Sequence, residues 1–223
     1  MSRKIREAID RINKHKILLV FPIKNAKEPH SLWAELHPRT KLRWEWDDSG
    51  DNRVAEMWTL MKSLSSCREV VYSKWYLGRP TFFSRPLFVA MLRVFEESGV
   101  SEHRLTATSR RLLEELEANS PLSTKELKSL TDLKGRFNEP TYNRSMKQLF
   151  SQLHLVAFGE VEDGAFPSLA VGATQLIYED LWNESKNMSL KSAQTLVDTA
   201  MPPGSKFRKF FDKIHAELSK NGR

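Results

Sequence analysis

Between Leu105 and Val171 the chain is punctuated so closely that few folds accommodate it. Leu112, Leu113 and Leu116 recur at helical spacing and mark a first helix. Ser120-Pro121-Leu122 reads as a short extended link. Ser123 followed by Glu126 is a capping box, in which hydroxyl and carboxylate each satisfy an otherwise unpaired amide; it opens a second helix through Leu130. A polar turn with Gly135 leads to Pro140, preset for the first turn of a helix. Tyr142, Met146, Leu149, Phe150 and Leu153 then lie on one face. Leu155 to Phe158 and Leu169 to Val171 flank the turn signal Asp163-Gly164 and read as a hairpin. Three helices followed by a two-stranded hairpin is the order of a winged helix. A three-helix bundle with an incidental loop is the alternative.

The text on either side is also structured. Ile5, Ala8, Ile9 and Ile12 predict a helix, and Ile17 to Phe21 a short buried strand. Lys24 to Asp51 is polar but holds Trp33, Trp44 and Trp46, which a disordered linker would not. Val54, Met57, Trp58, Met61 and Leu64 give a second helix. Val70 to Tyr76 fits no single period, and Thr81 to Ser84 reads as extended. Pro86 begins a helix with Phe88, Met91, Leu92 and Phe95 inward and Gly99 at its end; Ser98 to His103 is the boundary. After Val171, Gln175 to Trp182 leads into a helix through about Ala200. Pro202-Pro203-Gly204 breaks it, and Ser205 caps a last helix with Phe207, Phe210, Phe211 and Ile214 on one face. No internal repeat is visible. The expectation is a mostly helical α+β chain: an N-terminal α+β region (1–100), a winged helix (101–173) and a C-terminal helical extension (174–223).

Composition narrows the partners. No apolar run approaches the roughly 20 residues that span a bilayer, so no membrane partner is expected. The charged N-terminus has no signal-peptide core, and the single cysteine, Cys67, fits a reducing compartment; a cytoplasmic protein is expected. The net charge of +7 suits an anionic partner. Residues 1–100 hold 18 Lys/Arg against 12 Asp/Glu, and residues 183–223 hold 8 against 4. Residues 101–173 hold 9 against 10, so the basic excess flanks the winged helix.

Double-stranded DNA is the expected partner. On the third helix, Thr141, Asn143, Arg144, Lys147 and Ser151 face outward if the large apolar residues face in. Arg and Lys bond guanine or phosphate, and Asn bonds adenine. Lys74-Trp75-Tyr76-Leu77-Gly78-Arg79, with Arg85 nearby, mixes cations with aromatics as a backbone-holding, base-stacking segment would. The tail helix offers Lys206, Arg208, Lys209 and Lys213 as phosphate contacts. The wing turn Glu160-Val161-Glu162-Asp163 is acidic, which phosphate repels; it suits a basic protein surface, and an interaction module is one alternative function. The histidines (His15, His30, His37, His103, His154, His215) are scattered and none has metal-ligand spacing with Cys67. There is no Gly-rich phosphate loop. No metal, cofactor or catalytic group is expected. Glu45, Asp47, Asp48 and Asp51 form one acidic cluster, a general base or cation site in an enzymatic reading and a polar loop otherwise. The oligomeric state is left open, a helix-turn-helix dimer being compatible.

Leu122-Ser-Thr-Lys-Glu-Leu127, Tyr142-Asn-Arg-Ser-Met-Lys-Gln-Leu149 and Leu155-Val-Ala-Phe-Gly-Glu160 resemble the winged-helix core of the AlkZ-related proteins. Upstream, Leu18-Leu-Val-Phe-Pro22, Ser31-Leu-Trp33, Trp58 with Lys62, and Tyr72-Ser-Lys74 before Gly78-Arg-Pro-Thr-Phe-Phe83 are similar to the first half of those chains, so the resemblance covers roughly Ile17 to Trp182. The wider family includes DNA glycosylases built from tandem winged helices, with a Gln-any-Gln motif that positions water. The resemblance implies a DNA partner, a link to DNA repair, and a second, degenerate winged helix within residues 1–100. Gln148, Gln152, Gln175 and Gln194 include no pair separated by one residue, so a non-catalytic DNA-binding protein is expected, with a glycosylase-like enzyme as the alternative.

Overall fold

A computed structural model describes residues 1–44, 52–97, 105–161 and 168–220. Helix α1 (Arg3–His15) starts at Ser2, whose hydroxyl accepts the Ile5 amide, and buries Ala8, Ile9 and Ile12. Strand β1 (Ile17–Leu19), helices α2 (Leu32–Leu36) and α3 (Arg53–Ser65), and the hairpin β2 (Val70–Tyr76) and β3 (Arg79–Ser84) follow. Strands β1 and β2 pair antiparallel on either side of β3. Val70 to Ser73 are buried in succession, which is why β2 carries no alternating signal. Its turn is Leu77-Gly78, with φ of 54° and 75°, the two positive values that a tight hairpin turn of the right twist requires.

Helix α4 (Arg85–Glu97) leads to the second part: α5 (Ala107–Asn119), β4 (Leu122–Ser123), α6 (Thr124–Leu130), α7 (Glu139–Ser151), β5 (Leu155–Val161) and β6 (Ser168–Ala173). The expected helices and hairpin are present in the expected order; the Asp163-Gly164 signal lies outside the described residues. The capping box forms, with Ser123 Oγ accepting the Glu126 amide at 3.1 Å and Glu126 Oε2 accepting the Ser123 amide at 2.9 Å.

The two parts share one plan that no repeat in the sequence announces. Both run helix, strand, helix, helix, hairpin. In both sheets the second hairpin strand is central and the short strand flanks it. Both hairpins carry an extra residue on the first strand, between Ser73 and Tyr76 and between Ala157 and Glu160. The plan fixes where side chains are buried and where turns fall, not which residues do it, so no extended sequence repeat accompanies it.

The units pack reciprocally. Helix α7 lies against β2, α3 against β5, and β2 against β5, as in a two-fold interface between identical subunits. The Gly159 amide donates to Ser65 Oγ at 3.2 Å, and Lys62 Nζ meets Glu160 at 3.3 Å. The tail forms α8 (Thr174–Ile177), α9 (Glu179–Asn187), α10 (Leu190–Ala200) and α11 (Lys206–Lys220). The single helix expected to end near Ala200 is two, because Ser189 leaves the helix at extended angles and caps α10 by accepting the Ser192 amide. Helices α9 and α10 cover α4. One core cluster joins Trp75, Phe83, Phe88 and Phe95 to Val156, Tyr178 and Phe211, so the tail is packed into the molecule rather than appended to it. No described helix is long and apolar enough to cross a membrane.

Candidate nucleic-acid interface

Helix α7 buries Tyr142, Ser145, Met146, Leu149 and Phe150 and exposes Thr141, Asn143, Arg144 and Lys147. Its Lys147 stem lies over the β2–β3 turn: a β-carbon at Gly78 would sit 3.4 Å from Lys147 Cε. That contact closes one side of a cleft of roughly 350 Å³ lined by Lys74, Gly78, Lys128, Tyr142, Asn143 and Lys147. The cleft therefore runs between the first hairpin and the last two helices of the second bundle.

Its charges are unevenly balanced. Lys128 Nζ donates to both Glu139 oxygens, at 2.8 and 3.0 Å, and sits 4.6 Å from the Tyr142 ring centre. The Lys128 hydrogen bond holds the Glu139 carboxyl below its ordinary value. Asn143 Nδ2 donates to the same carboxylate at 3.4 Å. Burial, with the Glu139 charge, pushes the Tyr142 phenol up, so it stays neutral. Lys74 has no hydrogen bond or ion pair among the described residues, and burial pulls its ammonium below the ordinary lysine value. Lys147 likewise has no acidic partner among them. Three ammonium groups thus line a partly desolvated cleft, and of these only Lys128 is paired, with Glu139. An anion entering it would restore both the missing charge and the missing acceptors.

The sequence-predicted residues divide accordingly. Lys74, Asn143 and Lys147 line the cleft together. Thr141 and Arg144 are exposed on the same helix, and Arg144 has no partner among the described residues. Ser151 is half-buried and donates back to the Gln148 carbonyl at 3.0 Å. Arg79 is exposed beyond the hairpin turn. Trp75 and Tyr76 do not offer faces for stacking: both are buried, with Phe210 4.9 and 5.1 Å away, because the strand that carries them is covered by α11. Arg85 is committed to Asp180 and to the Arg68 carbonyl. On α11, Lys206 donates to the Glu28 carbonyl, Arg208 pairs with Asp198 and Asp212, and Lys213 with Glu217; Lys209 remains exposed. Glu160, on the strand that leads into the acidic wing, pairs with Lys62 within the chain. Glu162, Asp163 and the cluster Glu45, Asp47, Asp48 and Asp51 lie outside the described residues. Sequence reasoning missed Lys128, whose position on a short helix gives no hint that it faces the cleft.

The fold also gathers histidines that the sequence left scattered. Donor atoms of His15, His30 and Glu35 lie within 4.8 Å of one another, a set that could hold a cation. Glu35 is instead occupied: His30 Nε2 is 2.7 Å and Arg11 3.4 Å from its oxygens, and His15 Nε2 is 3.0 Å away but out of hydrogen-bond alignment. Partial burial raises the Glu35 carboxyl, but the His30 hydrogen bond and the His15 contact outweigh it and hold it below its ordinary value.

A family model described as AlkZ related matches residues 2–201. The chain belongs to the AlkZ-related family. No curated protein and no solved structure matches it. In this AlkZ-related chain two of the glutamines hold the second unit and tail together by hydrogen bonds: Gln148 Oε1 accepts from Ser109 Oγ at 2.7 Å, and Gln175 Nε2 on α8 donates to Glu117 at 2.5 Å.

Proposed function

We propose that the two repeated units are tandem winged helices, and that the chain is a cytoplasmic, non-catalytic double-stranded-DNA-binding protein linked to DNA repair. Residues 1–100 and 101–173 carry one unit each and 174–223 brace them. The observation that carries the reading is the cleft in which Lys74 and Lys147, unneutralised by any described carboxylate, flank Asn143 between one hairpin and the other unit's third helix. Membership of the AlkZ-related family supports a nucleic-acid partner and the repair connection. Lys74 and Lys147 hold phosphate, Asn143 and Arg144 face the bases or backbone beside them, and Thr141, Arg79 and Lys209 are outlying contacts. Ser151 contributes through the helix rather than by contact.

Gel-shift titrations of a duplex across salt concentrations test this. Binding should weaken steeply with salt, and Lys74→Met with Lys147→Met should flatten the log–log slope by about two, one per lost phosphate contact. Methionine keeps the buried stem, so folding is preserved. An unchanged slope overturns the assignment. Release of a base from an alkylated duplex would overturn the non-catalytic half of the proposal.

A further inference from the structure

The repeated plan makes the loop between α2 and α3 equivalent to the loop between α6 and α7. In those loops stand Lys41-Leu42-Arg43-Trp44 and Lys134-Gly135-Arg136-Phe137. Both read Lys, any residue, Arg, aromatic. Lys41, Arg43, Lys134 and Arg136 are exposed, and the aromatic ends of both are also turned to solvent, Trp44 by 55% and Phe137 by 95%. Single exposed rings are ordinary on a protein surface, but neither core requires the same Lys-any-Arg-aromatic order in both loops.

Both loops are also braced. An asparagine ties down each one: Asn25, from the segment before α2, reaches across to the first, and Asn138 closes the second on itself. Asn25 accepts the Leu42 amide at 2.7 Å and donates to the Leu42 carbonyl at 3.0 Å. Asn138 donates to the Asp132 carbonyl at 3.3 Å and the Lys134 carbonyl at 3.0 Å, while its own amide meets the Gly135 carbonyl at 3.1 Å. Trp44 leans on Phe21, 5.0 Å between ring centres, which fixes one side and leaves the other open. The backbone at Leu42 and at Lys134–Gly135 is thus tied down before any partner arrives, so less ordering entropy is lost there on contact.

We propose that these two tips are a matched pair of nucleic-acid grips, each setting its Lys and Arg on phosphates and its aromatic ring on the face of a base, so that the chain prefers DNA with accessible base faces (a gap or a mismatch) over an intact duplex. The inference rests on the DNA reading above. The chemistry fits because every base presents a π-face and every nucleotide a phosphate, so one cation–aromatic unit serves any sequence. An intact duplex buries its base faces in the stack and leaves the rings unmatched.

Competition binding at fixed salt between a gapped and an intact duplex tests it. The wild-type chain should favour the gapped DNA. Phe137→Ala and Trp44→Ala should each lower affinity for gapped DNA roughly tenfold, the scale of one stacked base, with little change on the intact duplex. Phe137→Tyr should retain the preference, since a ring is still offered. Lys74→Met with Lys147→Met should weaken both DNAs alike and leave the preference intact. If both alanine variants keep the wild-type preference while the lysine pair weakens binding, the tips are not grips and the cleft reading stands. If the chain binds neither DNA, both readings fall. Capture of the wild-type chain by phosphatidylserine-rich vesicles with no preference for gapped DNA would assign the tips to a membrane surface and overturn the proposal.

Discussion

Lys74 and His154 show two outcomes of burying a titratable group. Lys74 is on a strand whose neighbours are core, yet its ammonium opens into a cleft, so desolvation lowers its pKa without neutralising it beside a fixed partner. A phosphate arriving there would reverse part of that shift, which ties binding to charge rather than to shape. His154 is sealed: burial lowers its imidazole from 6.5 to about 4, and its Nε2 has no hydrogen-bond partner. The unfolded chain therefore takes up a proton first as pH falls. Stability contributed by the neutral ring is complete above pH 6.5, is lost between 6.5 and 4, and stops falling below 4, where the folded form is protonated too. The loss is about 3 kcal/mol. Denaturant melts at stepped pH should show this slope, and His154→Leu should remove it. A wild-type slope surviving in that variant would place the acid sensitivity elsewhere. At this scale the outward face of the third helix was legible, because the helical period alone separates Asn143, Arg144 and Lys147 from Tyr142 and Met146. The unpaired state of Lys74 was not, since it depends on which carboxylates the fold brings near.

Elements are governed by glycines and caps at a few decisive points. Gly172 is one: a β-carbon there would come within 2.5 Å of Ile177 Cγ1 and 3.2 Å of Ser120 Oγ, and Ser120 also accepts the Ala173 amide at 2.9 Å. Gly172→Ala should cost about 1–3 kcal/mol by overpacking, read as a drop in the urea midpoint. A neutral result would mean that α8 can shift freely. At Gly78 the positive φ and the Lys147 stem act together, so Gly78→Ala should destabilise by about 1 kcal/mol and also loosen DNA binding. Ser123→Ala opens the capping box and should cost about 1 kcal/mol with binding unchanged. Caps and turns were readable because they are local chemistry: Ser123 with Glu126, Pro140 and Ser205 all stand where the helices begin. Strand β2 was not readable, because full burial erases the alternation by which a strand is recognised. The break at Met188-Ser189 was missed because Leu181, Trp182, Leu190 and Ala193 look like one continuous stripe.

The whole molecule is organised by reciprocity between two units and by a tail that closes over them. Each unit has a core of its own, but Trp75, Phe88, Val156 and Phe211 belong to a third that joins both units to the tail. Unfolding should be a single cooperative transition in calorimetry, with the van't Hoff and calorimetric enthalpies equal; two resolved peaks would show that the units are independent. Removing α11 should expose Trp75 and Tyr76 and destabilise the first unit, not only the tail. The sequence by itself determined most of the longer helices, several of their caps, the order of elements in the second half, the absence of a long apolar span and the family pattern, all of which follow from spacing and local backbone chemistry. Only the tertiary structure decided that the first half repeats the plan of the second, that Lys74 faces Lys128 and Lys147 across a cleft, and that Lys62 pairs with Glu160. Such pairings join residues tens of positions apart, and burial and charge balance exist only once those segments have been brought together.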